Sequence, residues 1–175
     1  MDVMRIPAER VAVLLGKNGA TKRLIEKRSN VTLTIDKDCG IQISGDSFYV
    51  WRVRDVITAI GRGFNPEKAL KILNEEYYLK VINLKLLFNS EKQIKRQKGR
   101  VIGTNGKTRR LIEETAEVEL SIYGNTVAII GCLEELGLAE NAVTKLLSGT
   151  PHSGIYKLLE KGRKKLLEDR KKLWK

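Results

Sequence analysis

Residues 16–35, GKNGATKRLIEKRSNVTLTI, decide the fold because residues 103–122, GTNGKTRRLIEETAEVELSI, repeat them. At an offset of 87 the two segments agree at eleven positions, which include both glycines and the Asn between them. With a one-residue slip the match extends to GIQISG (40–45) and TVAIIG (126–131). A unit of roughly 80 residues that occurs twice indicates tandem domains, since a solenoid needs three or more repeats. The 175 residues therefore form two units and a C-terminal extension.

The apolar pattern of each unit predicts strands and helices in one order. Alternating apolar and polar residues are typical of half-buried strands, and amphipathic stretches that start at Ala-Glu or Ser-Glu are typical of helices. For the first unit the pattern predicts a strand at 2–6, helices at 8–16 and 20–29, a hairpin of 31–35 with 41–43, and helices at 47–63 and 65–74. For the second it predicts a strand at 77–87, helices at 90–103 and 107–116, a hairpin of 118–122 with 126–130, and a helix at 133–149.

Two segments resemble a known family. VAVLLGKNGATKRLIEKRSNVTLTI (11–35) and GRVIGTNGKTRRLIEETAEVELSI (99–122) are similar to the core of the K-homology (KH) domain, which reads Val-Ile-Gly-x-x-Gly, an Ile/Leu-rich helix and a strand. Because fifteen residues precede the first loop, the resemblance implies the type I arrangement. The implied fold class is α+β, with two tandem type I KH domains and a C-terminal amphipathic helix. Each domain is expected to have a three-stranded sheet with helices on one face.

The expected domains are 1–76 and 77–150, followed by the basic amphipathic helix at 151–175. Two KH units that fill a small basic protein are similar to one subfamily, the Krr-type and partner-of-Nob-type assembly factors of the small ribosomal subunit in their short archaeal form. This resemblance implies binding of single-stranded, 16S-type ribosomal RNA near its 3′ end. It also implies contact with a Nob-type endonuclease or another small-subunit maturation or initiation factor. Both loops are intact, so the sequence leaves open which copy carries the RNA.

The Lys-Thr pair after Gly106 raises the question of a nucleotide-binding loop. A Walker A loop needs a glycine five positions before its last glycine, and that position is Val101. The stretch that enters the loop is helical in pattern, and in the twin loop at 16–23 the residue directly after the last glycine is Ala20 instead of a Lys. An NTP-dependent enzyme is therefore a remote alternative, and no cofactor is expected.

A Gly-x-x-Gly loop between two helices suits an RNA backbone instead. Glycines let the chain turn tightly and let a sugar-phosphate approach, while the amides and dipole of the following helix face the phosphates. A loop of this kind clamps about four nucleotides. The alternative is a tight turn between two helices with no ligand. The expected RNA-binding residues are Gly16, Lys17, Asn18, Gly19, Lys22, Arg23, Arg100, Ile102, Gly103, Thr104, Asn105, Gly106, Lys107, Arg109 and Arg110.

Charge near the loops predicts that the second copy is the stronger electrostatic site. Besides the basic residues that follow Gly106, four precede the loop, whereas only Lys22 and Arg23 follow the first loop closely. Neutralisation of phosphates dominates affinity for nucleic acids, so the copy with more cations should bind more tightly. Some of these side chains could equally belong to a solvated helix face. The four that precede the second loop are Lys95, Arg96, Lys98 and Arg100.

An apolar groove floor would supply the contacts to bases. Aromatic residues make up 6% of the chain, which favours a hydrophobic groove over stacked aromatic platforms. The floor candidates are Leu15, Ile25 and Leu33 in the first unit and Ile102, Ile112 and Leu120 in the second, although residues of this kind are more often core. Leu24 and Leu111 are predicted to share the apolar face of their helices. Phe48, Tyr49 and Trp51 are interpreted as packing residues.

The charge distribution also points to a polyanionic partner. The net charge is +12 with a pI near 9.8, which favours nucleic acid or an acidic membrane surface over a merely soluble basic surface. Residues 151–175 contain 9 basic and 3 acidic residues, and leucines recur every seven positions from Leu159 to Leu173. The preferred interpretation is a helix whose leucine stripe docks on the second domain and whose basic face meets RNA. Membrane adsorption is the weaker alternative.

Other function classes lack their residues. No stretch is long and apolar enough for a membrane span, and residues 1–10 do not form a signal peptide, so we expect a cytoplasmic protein without membrane contact. Cys39 and Cys132 are too few for a disulfide framework or a paired-cysteine metal site. His152 is the only histidine and is interpreted as a loop residue. We expect a non-enzymatic RNA-binding protein, with a KH-fold scaffold for protein partners as the alternative.

Overall fold

A computed structural model describes residues 3–173, which form two compact units, 3–79 and 80–173. The first unit contains β1 (Met4–Arg5), α1 (Ala8–Leu15), a 3-10 turn (Lys17–Gly19), α2 (Ala20–Ser29), β2 (Thr32–Ile35), β3 (Gly40–Ser44), α3 (Ser47–Gly61), α4 (Pro66–Ala69) and a second 3-10 turn (Leu70–Leu73). The predicted order of elements is confirmed. Residue 2 of the predicted first strand lies outside the described residues.

The second unit repeats this order and adds a long helix. Its elements are β4 (Tyr77–Asn83), which begins at the end of the first unit, a 3-10 turn (Leu84–Leu86), α5 (Glu91–Ile102), a 3-10 turn (Thr104–Gly106), α6 (Lys107–Ala116), β5 (Glu119–Tyr123), β6 (Thr126–Cys132), α7 (Leu133–Leu147) and α8 (His152–Leu173). The predicted α+β class, with one three-stranded sheet in each unit and a C-terminal helix, is confirmed.

Each sheet is antiparallel in its hairpin and places the same strand at its edge. The strand order is β1-β3-β2 in the first unit and β4-β6-β5 in the second. Leu33 pairs with Ile43 in the first hairpin, and Leu120 pairs with Ile129 in the second. The strand that follows the Gly-x-x-Gly helix, β2 or β5, is therefore an edge strand, with one side of its backbone not paired within its sheet.

The helices begin and end at residues suited to those positions. The Asp46 side chain accepts a hydrogen bond from Phe48 N at the start of α3, and Ser90 Oγ accepts one from Gln93 N at the start of α5. Gly16 and Gly103 end α1 and α5 with φ near +70°, a left-handed value that favours glycine. The short side chain or glycine that the sequence offers at each end explains why most boundaries were predictable.

Apolar side chains between the helices and the sheet form a core in each unit. Leu14, Ile25, Leu33 and Ile57 are fully buried in the first unit. The second unit buries the equivalent set together with residues from α7 and the first two turns of α8. These are Val101, Ile112, Leu120, Ile129, Ala139, Val143, Leu146, Ile155 and Leu159.

The predicted strand at 77–87 is too long. It ends at Asn83, whose side-chain oxygen accepts a hydrogen bond from Lys85 N at 3.0 Å and starts a 3-10 turn. Leu84 is buried, and its backbone nitrogen donates to Asn125 O at 2.9 Å. Leu86, within the predicted strand, is 83% exposed. The alternating leucines gave the same signal as a strand, but the Asn side chain redirects the backbone before they are reached.

Several predicted packing positions are also wrong. Leu24 is exposed and Leu111 is half-buried, because each lies about 100° around its helix from the buried isoleucine that follows it. Phe48, Tyr49 and Trp51 are exposed instead of packed, and Trp51 has 52% of its surface accessible. Arg52 and Val53, in the same part of α3, are buried, so the helix turns a different face toward the core.

The C-terminal helix docks through only part of its leucine stripe. It begins at His152, so this histidine is helical and the loop prediction is wrong. Ile155 and Leu159 are fully buried, and α8 packs on α6 and α7. Ion pairs join Arg163 to Glu117 and Arg170 to Glu135. Leu173, predicted to continue the stripe, is exposed because it lies beyond the helices that α8 contacts; Trp174 and Lys175 lie outside the described residues.

Candidate nucleic-acid interface

The two Gly-x-x-Gly loops have nearly the same backbone. In the first, Gly16, Asn18 and Gly19 have φ of +70°, +53° and +75°. In the second, Gly103, Asn105 and Gly106 have φ of +72°, +52° and +72°. The left-handed region is open to glycine and is tolerated by Asn better than by most residues. The Asn shared by both loops therefore has a backbone role.

A threonine packs behind the first glycine of each loop. A Cβ atom added to Gly103 would overlap the Thr108 side chain and would approach its backbone nitrogen to 2.8 Å. The same holds for Gly16 and Thr21, again with 2.8 Å to the backbone nitrogen. By contrast, a Cβ on Gly106 would meet nothing within 4 Å. The first glycine of each loop is needed for internal packing, whereas Gly106 leaves space at the surface for a ligand.

The helix that leaves each loop starts without a capping side chain. Gly19 and Gly106 occupy the N-cap positions of α2 and α6, and neither helix start receives a side-chain hydrogen bond. Backbone amides in the first turn of a helix lack partners within the helix, and the helix dipole adds partial positive charge there. Both loops therefore present amide donors and a positive end to an anion.

The cations expected at the first loop lie in different directions. Lys17 is exposed within the loop, and Arg23 extends over Gly19, where an added Cβ would lie 3.1 Å from its guanidinium. Lys22 Nζ instead bonds Glu26 Oε1 at 2.8 Å. Lys17 and Arg23 therefore remain at the loop surface, while Lys22 is directed along the helix.

The second loop repeats this arrangement and adds a cation. Arg110 Nη2 donates to Asn105 O at 3.0 Å, and Arg109 forms an ion pair with Glu113 at 3.5 Å. Lys107, for which the first unit has Ala20, is exposed at the start of α6. Arg100 is partly buried, and its Nη2 donates to Thr150 O at 2.6 Å. Thr104 is exposed and Ile102 is half-buried, so the predicted residues of this loop do lie together.

Each exit helix is bonded to the edge strand through a glutamate. Glu26 Oε1 accepts a hydrogen bond from Leu33 N at 2.8 Å, and Glu113 Oε1 accepts one from Leu120 N at 2.9 Å. Of the six candidates for a groove floor, the four on these helices and strands are core residues. Leu15 and Ile102, the last residues before the loops, are half-buried and can still be reached from outside. Both bridging glutamates end a Leu-Ile-Glu triplet that the two units share, and this shared Glu was the signal in the sequence.

Electrostatics favour the charged form of Glu26. Burial by itself would raise the pKa of this carboxyl group. The hydrogen bonds from Lys22 and Leu33 N, with the charges of Lys22 and Arg23, outweigh burial and leave the pKa of Glu26 below its ordinary value. The bridge therefore consists of an ionised carboxylate at neutral pH.

A basic cleft beside the second loop includes residues that sequence reasoning missed. It has a volume of about 320 Å³. His152 Nε2 lies 3.0 Å from Arg100 O, and Tyr156 OH lies 3.3 Å from Thr108 Oγ1. No local motif connects α8 to the loop, so the sequence offered no signal for this proximity. The lining residues are Arg96, Gly99, Arg100, Gly103, Thr104, Lys107, Thr108, His152 and Tyr156.

Comparison with known proteins agrees with this geometry. Residues 78–164 match the model of the second PNO1 domain, described as a eukaryotic type KH domain (KH-domain type I), and residues 1–59 match a KH domain model. A KH domain-containing protein of Methanocaldococcus jannaschii is 47% identical over the whole chain and 79% of its own length. The chain belongs to the KH-domain family. The resemblance to KH domains and to partner-of-Nob-type proteins is thereby confirmed.

Solved structures place this KH protein close to archaeal Dim2p. Dim2p of Pyrococcus horikoshii is 43% identical with a TM-score of 0.85, and the match covers 91% of this chain and 98% of that one. Dim2p in an a/eIF2alpha-aDim2p-rRNA complex from the same organism is 42% identical with a TM-score of 0.86, over 94% of each chain. A protein of unknown function from Aeropyrum pernix has 31% identity and a TM-score of 0.93, over 99% and 96% of the two chains.

The eukaryotic relatives are longer. The pre-rRNA-processing protein pno1 of Aspergillus fumigatus is 30% identical over 61% of this chain, and the match spans 44% of that protein. The KH protein thus matches less than half the length of this relative. Within residues 3–173, no helix has the length and apolar character needed to cross a membrane.

Proposed function

We propose that this KH protein is a cytoplasmic assembly factor that binds single-stranded, 16S-type ribosomal RNA near its 3′ end through its Gly-x-x-Gly loops. The observation that carries the proposal is the loop geometry: each loop makes a left-handed turn, at Gly19 or Gly106, and leads into an uncapped helix start. Such a start binds phosphate through amide donors and the helix dipole. We expect the protein to bind RNA without catalysing a reaction.

The names of relatives support the choice of ribosomal RNA. One structural relative is archaeal Dim2p in a complex with rRNA and a/eIF2alpha, and the relative from Aspergillus fumigatus is a pre-rRNA-processing protein. The net charge of +12 agrees with a polyanionic ligand. By the same relationship, the protein partners of this chain are a translation initiation factor of the a/eIF2alpha type and a Nob-type endonuclease.

A protein scaffold is the second candidate, and one surface favours it. Phe48, Tyr49 and Trp51 are exposed near the start of α3, and the rings of Phe48 and Tyr49 pack edge to face with centroids 5.4 Å apart. Exposed aromatic residues are enriched at protein interfaces. This surface does not exclude RNA binding at the loops, so the two candidates are separated by RNA affinity.

The experiment that tests the proposal is a titration of the full chain with fluorescently labelled single-stranded RNA. One RNA carries the 3′-end sequence of the small-subunit RNA, and a control RNA has the same bases in shuffled order. We expect tighter binding of the 3′-end RNA and an affinity that falls steeply between about 50 mM and 200 mM salt, as phosphate contacts require. No binding, or an affinity insensitive to salt, would instead support the scaffold.

A further inference from the structure

The cleft beside the second loop lies on a different side of α5 from the β5–β6 turn. Lys98 Nζ donates to Gly124 O at 2.7 Å, so the side of α5 that faces this turn carries Lys98. Arg96 and Arg100, which line the cleft, are each two residues from Lys98, or about 200° around the helix. The cleft therefore adjoins the loop on the side of α5 that faces away from the β5–β6 turn.

The lining of the cleft suits an anion. It contains the side chains of Arg96, Arg100 and Lys107, with Thr104, His152 and Tyr156 as polar neighbours, and it contains no carboxylate. Within the described residues, neither Arg96 nor Lys107 has an ion-pair partner. Arg100 Nε is buried and has no hydrogen-bond partner among residues 3–173. The volume of about 320 Å³ is within the range of about 300–1,000 Å³ that is typical of small-ligand sites.

The internal repeat shows that the first unit does not share the three cations of this cleft. At the offset of 87, the positions of Arg96, Arg100 and Lys107 are held by Glu9, Val13 and Ala20. Gly103 and Thr108 are retained as Gly16 and Thr21, because the loop itself needs them. The three cations therefore serve something other than loop geometry, since the first loop keeps the same backbone without them.

The C-terminal helix α8 forms one wall of the cleft, and the first unit has no equivalent of this helix. Tyr156 OH contacts Thr108 Oγ1, and His152 Nε2 contacts Arg100 O. Arg100 Nη2 is bonded to Thr150 O, just before α8. Buried Ile155 and Leu159 hold the start of α8 in place. The wall is thus anchored at several points to α5 and α6.

We propose that this cleft binds one further phosphate of the RNA backbone, immediately outside the nucleotides held at the second loop. The inference rests on the proposed function and adds a site to it. A phosphate in the cleft would meet Arg96 from α5 and Lys107 from α6, with the hydroxyls of Thr104 and Tyr156 as hydrogen-bond donors. The second domain therefore binds a longer stretch of RNA than the first.

The test uses full-length protein carrying Lys17→Asp and Asn18→Asp. These changes weaken the first loop, so that the measured RNA affinity reports on the second loop. Affinities are measured for a tetranucleotide and for heptanucleotides with a single methylphosphonate, which removes one phosphate charge, at each position in turn. The variants are Arg96→Gln and Lys107→Ala. Lys92→Ala, an exposed lysine on α5 that does not line the cleft, is the matched control for loss of one charge.

We expect one methylphosphonate position outside the tetranucleotide to weaken binding several-fold in the parent protein and in Lys92→Ala, but not in Arg96→Gln or Lys107→Ala. The log–log salt slope for the heptanucleotide should become shallower by about 0.7 in each cleft variant, the value for one phosphate contact of a single strand. Inorganic phosphate that binds the cleft should compete with the heptanucleotide but not with the tetranucleotide, because only the longer RNA places a phosphate there. Binding of inorganic phosphate to the parent protein without any weakening of heptanucleotide binding would overturn the RNA assignment of the cleft.

Two other results separate the failure of this inference from that of the proposed function. If the protein binds the tetranucleotide but every methylphosphonate effect adds independently to the Arg96→Gln effect, the cleft contacts no backbone phosphate, and the inference alone fails. If wild-type protein binds no RNA of either length, the proposed function fails, and the inference fails with it.

Discussion

Glu113 Oε1 accepts a hydrogen bond from the backbone nitrogen of Leu120 at 2.9 Å and so ties α6 to the edge strand β5. The first unit has the same bond between Glu26 and Leu33, at 2.8 Å. In each case a side chain satisfies a backbone donor that the edge of the sheet leaves unpaired. The bridge also sets the spacing between the exit helix and the edge strand, which are the two sides of the predicted RNA groove.

Glu113→Ala should therefore destabilise the second unit. The change leaves the partly buried Leu120 amide without its acceptor, which costs about 1–3 kcal/mol. Glu114→Ala, at the exposed neighbouring position, should change stability by less than about 0.5 kcal/mol. Urea denaturation followed by circular dichroism measures both, and equal midpoints for the two variants would show that the bridge is not stabilising.

The Glu26 bridge should make stability depend on acid pH. The folded-state pKa of Glu26 is lowered, so its contribution is fully present above the unfolded-state pKa and is lost as the pH falls through the folded-state pKa. We expect the urea midpoint of wild type to fall more steeply below about pH 4.5 than that of Glu26→Gln. Parallel curves for the two proteins over this range would contradict the assignment.

The two glycines of the second loop should respond differently to a methyl group. Gly106 has φ of +72° and ψ of 16°, a left-handed conformation in which alanine costs roughly 1–2 kcal/mol. Gly103 has φ of +72° and ψ of 174°, a conformation that is essentially restricted to glycine, so backbone strain alone already makes alanine less favourable there. Gly103→Ala should destabilise the protein further, because its Cβ would also collide with the backbone and side chain of Thr108. Gly106→Ala has open space. Thermal unfolding of both variants gives the comparison, and an equal loss of stability would exclude the clash.

Docking of α8 should depend on its first half. Ile155→Ala should cost about 2–5 kcal/mol because the side chain is fully buried. Leu173→Ala, at an 83% exposed position on the same predicted stripe, should change stability by less than about 0.5 kcal/mol. Urea denaturation distinguishes these values. A large effect of Leu173→Ala would mean that the helix is packed along its full length.

Much of the fold could be predicted because local sequence and tertiary structure agree. The helices Ala20–Ser29 and Lys107–Ala116 begin and end where the repeat places them, since a left-handed glycine precedes each of them. The strand after Tyr77 could not be delimited, because the Asn83 side chain, and not the apolar pattern, ends it. A pattern of apolar residues carries no information about one particular side-chain hydrogen bond, such as that of Asn83.

The candidate site was predictable in its loops but not in its surroundings. The repeat identified Gly103 and Gly106, and the structure brings the predicted loop residues together. Lys22 and Arg109 were expected to bind RNA, but each forms an ion pair with a glutamate four residues away. His152 and Tyr156 reach the second loop from a helix that is distant in sequence. Only the packing of α8 on α6 creates that proximity.

RNA affinity after placing negative charge in each loop tests the central claim most directly. Two double variants of the full chain are compared, Thr104→Asp with Asn105→Asp in the second loop and Lys17→Asp with Asn18→Asp in the first. If the loops hold the RNA backbone, both should weaken binding of single-stranded RNA, and the second-loop variant should weaken it more, because Lys107 and Arg110 lie beside that loop. Unaltered affinity in both variants, with the fold intact by circular dichroism, would contradict the account.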